Sequence, residues 1–217
     1  ARATISGSYD RLNKKGEMTA EQKAAALARS RTATDLAALK DSDLIIEAAT
    51  ENLDLKLKIF KQIDELAKAD AVIASNTSSI SITKLAASTK RPDKVIGMHF
   101  FNPVPLMALV ELIRGLQTSD ATYVAVEEVS KAVGKSPVQV RNSPGFVVNR
   151  MLCPMINEAI FALGEGLATA AQIDEMYQIM AIANFEDRFV IPTTHREWAE
   201  DAYELRSDCG FTFGNGC

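Results

Sequence analysis

The chain has 217 residues, 47% hydrophobic and 24% charged, a composition that suits a globular protein of one large or two small domains. Its net charge of −4, with no basic stripe interleaved with aromatics, argues against a nucleic-acid partner. No apolar run approaches the roughly 20 residues that cross a bilayer, and the start, ARATISGSYDRLNKKGE, lacks an apolar signal core. Cys153, Cys209 and Cys217 form no C-x-x-C pair, which argues against a cysteine metal site and fits a reducing cytoplasm.

The first 30 residues read as helical and charged, broken at KKGEMTAEQ, with Thr19 as an N-cap and Glu21 and Gln22 in the turn behind it. A β/α alternation follows. DLIIEAA (43–49), AVIAS (71–75), KVIGMHFF (94–101), ALVELI (108–113) and PVQV (137–140) read as strands. Helices are expected at 53–69, 81–89 and 121–133. The first of these places Leu53, Leu57, Phe60, Ile63 and Leu66 on one stripe. Apolar strands separated by helices predict an α/β fold with a mainly parallel sheet covered on both faces.

After Pro144-Gly145 the pattern changes to one long apolar helix, 146–166, interrupted by Pro154. The expected organisation is therefore a sheet domain over 1–140, the start of a helical domain over 141–174, and a tail of different character over 175–217.

Ligands of such sheets bind beyond the carboxyl ends of the strands. Three successive ends carry polar residues here: Glu51-Asn52, Asn76-Thr77-Ser78, and His99 to Asn102. His99 could accept a proton from an alcohol near neutral pH, with a carboxylate on its other ring nitrogen fixing the tautomer. Read alone, a histidine beside two Phe is more often a core histidine satisfied by its neighbours. Glu111, between Val110 and Leu112 in a buried strand, needs a partner of its own. Ser78 could touch a substrate oxygen or cap the following helix, a role that Ser79 or Ser81 would also fill. Asn149 lies on the first turn of the long helix, where polar residues are ordinary. No G-x-G-x-x-G occurs, and GEGLAT at Gly164 suits a helix end.

IEAATENLDLKLKIF, ASNTSSISIT, GMHFFNPVPLMALVELI and NSPGFVVNRMLCPMINEAI closely resemble the short-chain 3-hydroxyacyl-CoA dehydrogenases, over residues 1 to about 174. The resemblance implies a Rossmann domain followed by a helical domain that dimerises and closes over the substrate. It implies His99 as general base, Glu111 as its orienting carboxylate, and Ser78 and Asn149 as substrate-contacting residues. It also implies NAD contacts from Glu51, Lys56, Ser78 and Asn102, and no metal. The implied reaction is oxidation of an (S)-3-hydroxyacyl-CoA, such as 3-hydroxybutyryl-CoA, with NAD⁺, in fatty-acid or butanoate metabolism.

The family opens with a strand, a glycine-rich turn and a βαβ unit that these residues do not contain, so an incomplete Rossmann sheet and weak or no NAD binding are expected. The strand at 43–49 should then form an apolar edge. The helical domain is likewise expected to be truncated, and the family's homodimer is in doubt because its surface lies largely in the replaced part. The segment from Met176 resembles the C-terminal region of the respiratory nitrate reductase β subunit, without the cysteine spacing of an iron–sulfur centre.

Overall fold

A computed structural model describes residues 2–184. The tail beyond, with His195, Trp198, Cys209 and Cys217, lies outside the described residues. The chain divides into two compact units, Ala1–Pro144 and Gly145–Cys217.

The first unit opens with α1 (Arg2–Lys14) and α2 (Ala20–Arg29). Thr19 caps α2 in a reciprocal arrangement: its hydroxyl accepts from the Gln22 N–H, and the Gln22 side chain accepts from the Thr19 N–H. Then follow β1 (Leu44–Glu47), α3 (Leu53–Leu66), β2 (Val72–Ser75), α4 (Ile82–Ala86), β3 (Val95–Phe100), β4 (Leu109–Arg114), α5 (Asp120–Ala132) and β5 (Ser136–Arg141). Asn52, Ser81 and Ser119 cap α3, α4 and α5, each cap contributing about 1 kcal/mol. The short helix expected at 81–89 stops at Ala86.

The five strands form one sheet in sequence order, with β1 and β5 at its edges. Ile46 on β1 is 42% exposed, as an apolar edge requires. Neighbouring strands run parallel except β3 and β4, which are antiparallel. This refines the expectation of a mainly parallel sheet, and the reason is chain length. Residues 101–108 contain no helix, and a parallel return needs a crossover of roughly a dozen residues or more.

Ala74, Ile96, Met98, Val110, Leu112 and Val126 form a buried cluster between the sheet and α5. Phe60 and Ile63 of α3 and Ile82 and Leu85 of α4 are also buried. The buried side of α3 differs from the apolar stripe read in the sequence. It comprises Lys56, Phe60, Ile63 and Asp64, while Leu55 and Leu66 are largely exposed. Two charged groups are thus turned inward, each with a partner. Asp64 accepts from Arg91 Nε at 2.7 Å, and Lys56 meets Glu47.

The second unit begins at Gly145, whose φ of 70° is left-handed, followed by Phe146 at φ 50°. It contains α6 (Val148–Gly164), which runs through Pro154, and α7 (Ala170–Asn184). The Tyr177 hydroxyl donates to the Met155 carbonyl at 2.7 Å and ties the two helices together.

Candidate active site

Antiparallel pairing of β3 with β4 sets His99 directly opposite Glu111. Side chains of opposed residues share a face of the sheet. The His99 Nδ1 and Glu111 Oε2 atoms lie 2.8 Å apart. His99 is 6% exposed and Glu111 1%, so the contact is shielded from water. The Phe101 ring stands over the imidazole, centroids 4.5 Å apart and tilted by 52°. A carboxylate on Nδ1 holds the proton there and leaves the basic lone pair on Nε2.

Beyond the carboxyl ends of β1 and β2 lies a pocket of about 220 Å³ lined by Ala48, Ala49, Thr50, Glu51, Lys56 and Asn76. Hydrogen bonds brace its rim. Glu51 accepts from the Thr77 hydroxyl at 2.7 Å and from the Ser78 backbone N–H at 3.3 Å. Thr77 Oγ1 in turn accepts from the N–H groups of Ser79 and Ile80. The Asn76 carboxamide oxygen accepts from the Phe100 N–H at 2.8 Å, which joins the rim to the residue following His99.

Ser78 is therefore linked to Glu51, and Ser81, not Ser78, caps α4. Asn142 reinforces that cap: its oxygen accepts from the Ile82 N–H at 2.8 Å and its nitrogen donates to Ser81 Oγ at 3.0 Å. Asn102 is exposed on the loop after β3 and precedes Pro103 through a cis peptide. Lys135 spans the same loop, donating to the carbonyls of Val104 at 2.5 Å and Met107 at 2.7 Å. Burial draws its ammonium pKa down from the usual lysine value. Asn149 belongs to the second unit, at the start of α6.

Of the four residues that the resemblance names for the cofactor, Glu51 and Lys56 line the pocket, Ser78 is joined to its rim through Glu51, and Asn102 is not among the lining residues. Sequence reasoning brought His99 and Glu111 together. It missed Glu47 and Ser75, both buried and hydrogen-bonded to residues of the pocket or its rim. An acidic residue closing an apolar strand, nine positions before a lysine on the inner face of a helix, is the signal that would have found Glu47. Among the described residues no group of three or more His, Cys, Asp or Glu could hold a metal ion.

The profile of the 3-hydroxyacyl-CoA dehydrogenase NAD binding domain matches residues 1–143, and that of the same family's C-terminal domain matches residues 145–186. The chain belongs to the 3-hydroxyacyl-CoA dehydrogenase family. Family members with close sequences include the 3-hydroxybutyryl-CoA dehydrogenase of Clostridioides difficile, 51% identical over 179 residues, which cover 82% of this chain and 64% of that one. The corresponding enzyme of Bradyrhizobium diazoefficiens is 49% identical, over 82% of this chain and 61% of its own. Among solved structures of 3-hydroxyacyl-CoA dehydrogenases, the (S)-3-hydroxybutyryl-CoA dehydrogenase of Ralstonia eutropha superimposes with a TM-score of 0.77 at 65% identity, covering 80% of this chain and 61% of that one. The chain thus spans under two thirds of the length of these relatives, and its sheet is of the Rossmann type they share.

Proposed function

We propose that the chain carries the acid–base and cofactor-contacting part of an NAD-dependent 3-hydroxyacyl-CoA dehydrogenase that oxidises (S)-3-hydroxybutyryl-CoA or a close homologue to the 3-oxoacyl-CoA, in the cytoplasm. The observation that carries this reading is the 2.8 Å contact between His99 Nδ1 and Glu111 Oε2, inside a buried strand pair.

His99 takes the proton of the 3-hydroxyl through Nε2, while Glu111 keeps the imidazole in one tautomer and balances its positive charge once protonated. NAD, when bound, supplies the acceptor for the hydride that leaves C3. The donor set of the 220 Å³ pocket fits such a group: an ammonium, a carboxylate and a carboxamide beside the small side chains of Ala48 and Ala49. Glu51, Lys56, Ser78 and Asn102 would hold it. Ser78 and Asn149 would contact the acyl-CoA.

The test is oxidation of NADH by the purified chain in the presence of acetoacetyl-CoA. Turnover is expected, with a loss on the order of 10³ or more in kcat for His99→Gln. Titration of the chain with NADH, followed by nicotinamide fluorescence, gives an independent measurement: saturable micromolar binding is expected, and no saturable binding together with no turnover would overturn the proposal.

A further inference from the structure

The loops that wall the pocket converge on one buried side chain that the proposed chemistry does not use. Glu47 ends β1 and is 4% exposed. Its Oε1 accepts from the backbone N–H of Ala49 at 2.8 Å, which folds the 48–51 loop back over the strand. Its Oε2 accepts from Ser75 Oγ at 3.0 Å and from the ammonium of Lys56, which is itself 1% exposed. Lys56 Nζ also donates to Ser75 Oγ at 3.3 Å, and that hydroxyl accepts from the Thr77 N–H at 3.3 Å. The circuit then closes across the rim, because Thr77 donates to Glu51. One carboxylate thus anchors the first loop directly and the second through Ser75.

A buried ion pair is a poor stabiliser compared with well-packed apolar side chains, because both charges must be stripped of water. What this pair does supply is geometry. Lys56, whose side chain lines the pocket, has its ammonium held on one heading, and the Ala48–Glu51 and Asn76–Ser78 segments are held at a fixed separation. We infer that Glu47 is a positioning residue for the pocket: it aims Lys56 and fixes both loops through Ala49 and Ser75. This deepens the reading of the pocket as the cofactor's site and depends on that reading for its functional consequence.

Glu47→Gln is the informative variant. A carboxylate serves as acceptor on both oxygens, whereas a carboxamide has one acceptor and one donor. It cannot accept from Ala49 and from the Lys56–Ser75 pair at once. In the full chain, backbone amide exchange at Ala49 and Thr77 should accelerate by about tenfold or more, while β3 and β4 stay protected. Adding Lys56→Met removes the competing donor, so the new carboxamide can accept from Ala49 and donate to Ser75. The double variant should therefore regain slow exchange at both amides. Loss of packing alone would leave the double variant as fast as the single one or faster.

NADH titration gives the functional arm. Glu47→Gln should weaken binding by about tenfold or more, as misplacement of a contacting group does. The double variant should recover its loops but not its affinity, since it lacks the ammonium. Unchanged exchange at Ala49 and Thr77 in Glu47→Gln, no recovery in the double variant, or NADH affinity unaffected by Glu47→Gln would each overturn the inference. The exchange arm reads without cofactor. A wild-type chain that fails to bind NADH therefore refutes the function proposed above and leaves the loop anchoring to be decided by exchange alone.

Discussion

His99 and Glu111 are cross-strand partners, and the hydrogen bond between them is the shortest route from one strand's chemistry to the other's. Glu111→Gln keeps an acceptor for Nδ1–H but removes the charge that balances a protonated imidazole. We expect kcat for acetoacetyl-CoA reduction to fall roughly 100-fold while KM for the acyl-CoA changes little, because the carboxylate acts through His99. Steady-state kinetics on the folded variant, checked by circular dichroism, decides this.

Gly97 lies two residues before His99, opposite Ile113 on β4. A Cβ there would come within 2.8 Å of Ile113 Cβ and 3.0 Å of Ile82 Cδ1. Both neighbours are fully buried side chains with no room to retreat. Gly97→Ala should cost about 1–3 kcal/mol, seen as a lower urea midpoint with an unchanged m-value.

Arg91 closes the C-terminal end of α3. It donates to the Asp64 carboxylate at 2.7 Å, to the Asp64 carbonyl at 2.8 Å, and to the carbonyls of Ala67 and Lys68. Arg91→Ala leaves the buried Asp64 carboxylate without its cation and should destabilise by about 3 kcal/mol in denaturant titration. Arg91→Lys should recover less than half of that, since a point charge cannot reproduce the guanidinium fork.

Lys135 gives a pH test. Desolvation lowers its pKa below 10.5 in the folded protein, so near that range the unfolded chain binds more protons than the folded one. Stability contributed at this position therefore rises as pH climbs through the window between the lowered value and 10.5. Unfolding of the wild type and of Lys135→Met, compared from neutral pH upward, should show the wild type gaining on the variant over that window. A constant difference would contradict the partial desolvation of this ammonium.

The strands, the cap at Thr19 and the pairing of His99 with Glu111 were readable because each depends on local pattern: apolar runs, a hydroxyl before a helix, a carboxylate that a buried strand could not leave alone. The cap of α4 stayed open among Ser78, Ser79 and Ser81, and the fold assigns it to Ser81. Lys56 was assigned through resemblance, and its burial was not foreseen. Lys56 lies three residues after Leu53 and four before Phe60, on the face of the apolar stripe, but its charge marks it as a surface residue; Glu47 and Ser75 hold it inside. Periodicity ranks side chains by their own hydropathy and carries no information about a counter-charge on a neighbouring strand. The same limit hid the direction of β4, which follows from the shortness of residues 101–108 and not from the strands themselves.

Because β3 and β4 return on each other within residues 95–114, His99 and Glu111 travel in a single stretch of twenty residues. The pocket is assembled instead from segments scattered between Glu47 and Ser78. Transplanting the β-hairpin between members of the family would carry the His99–Glu111 pair across intact, while the pocket would remain that of the recipient.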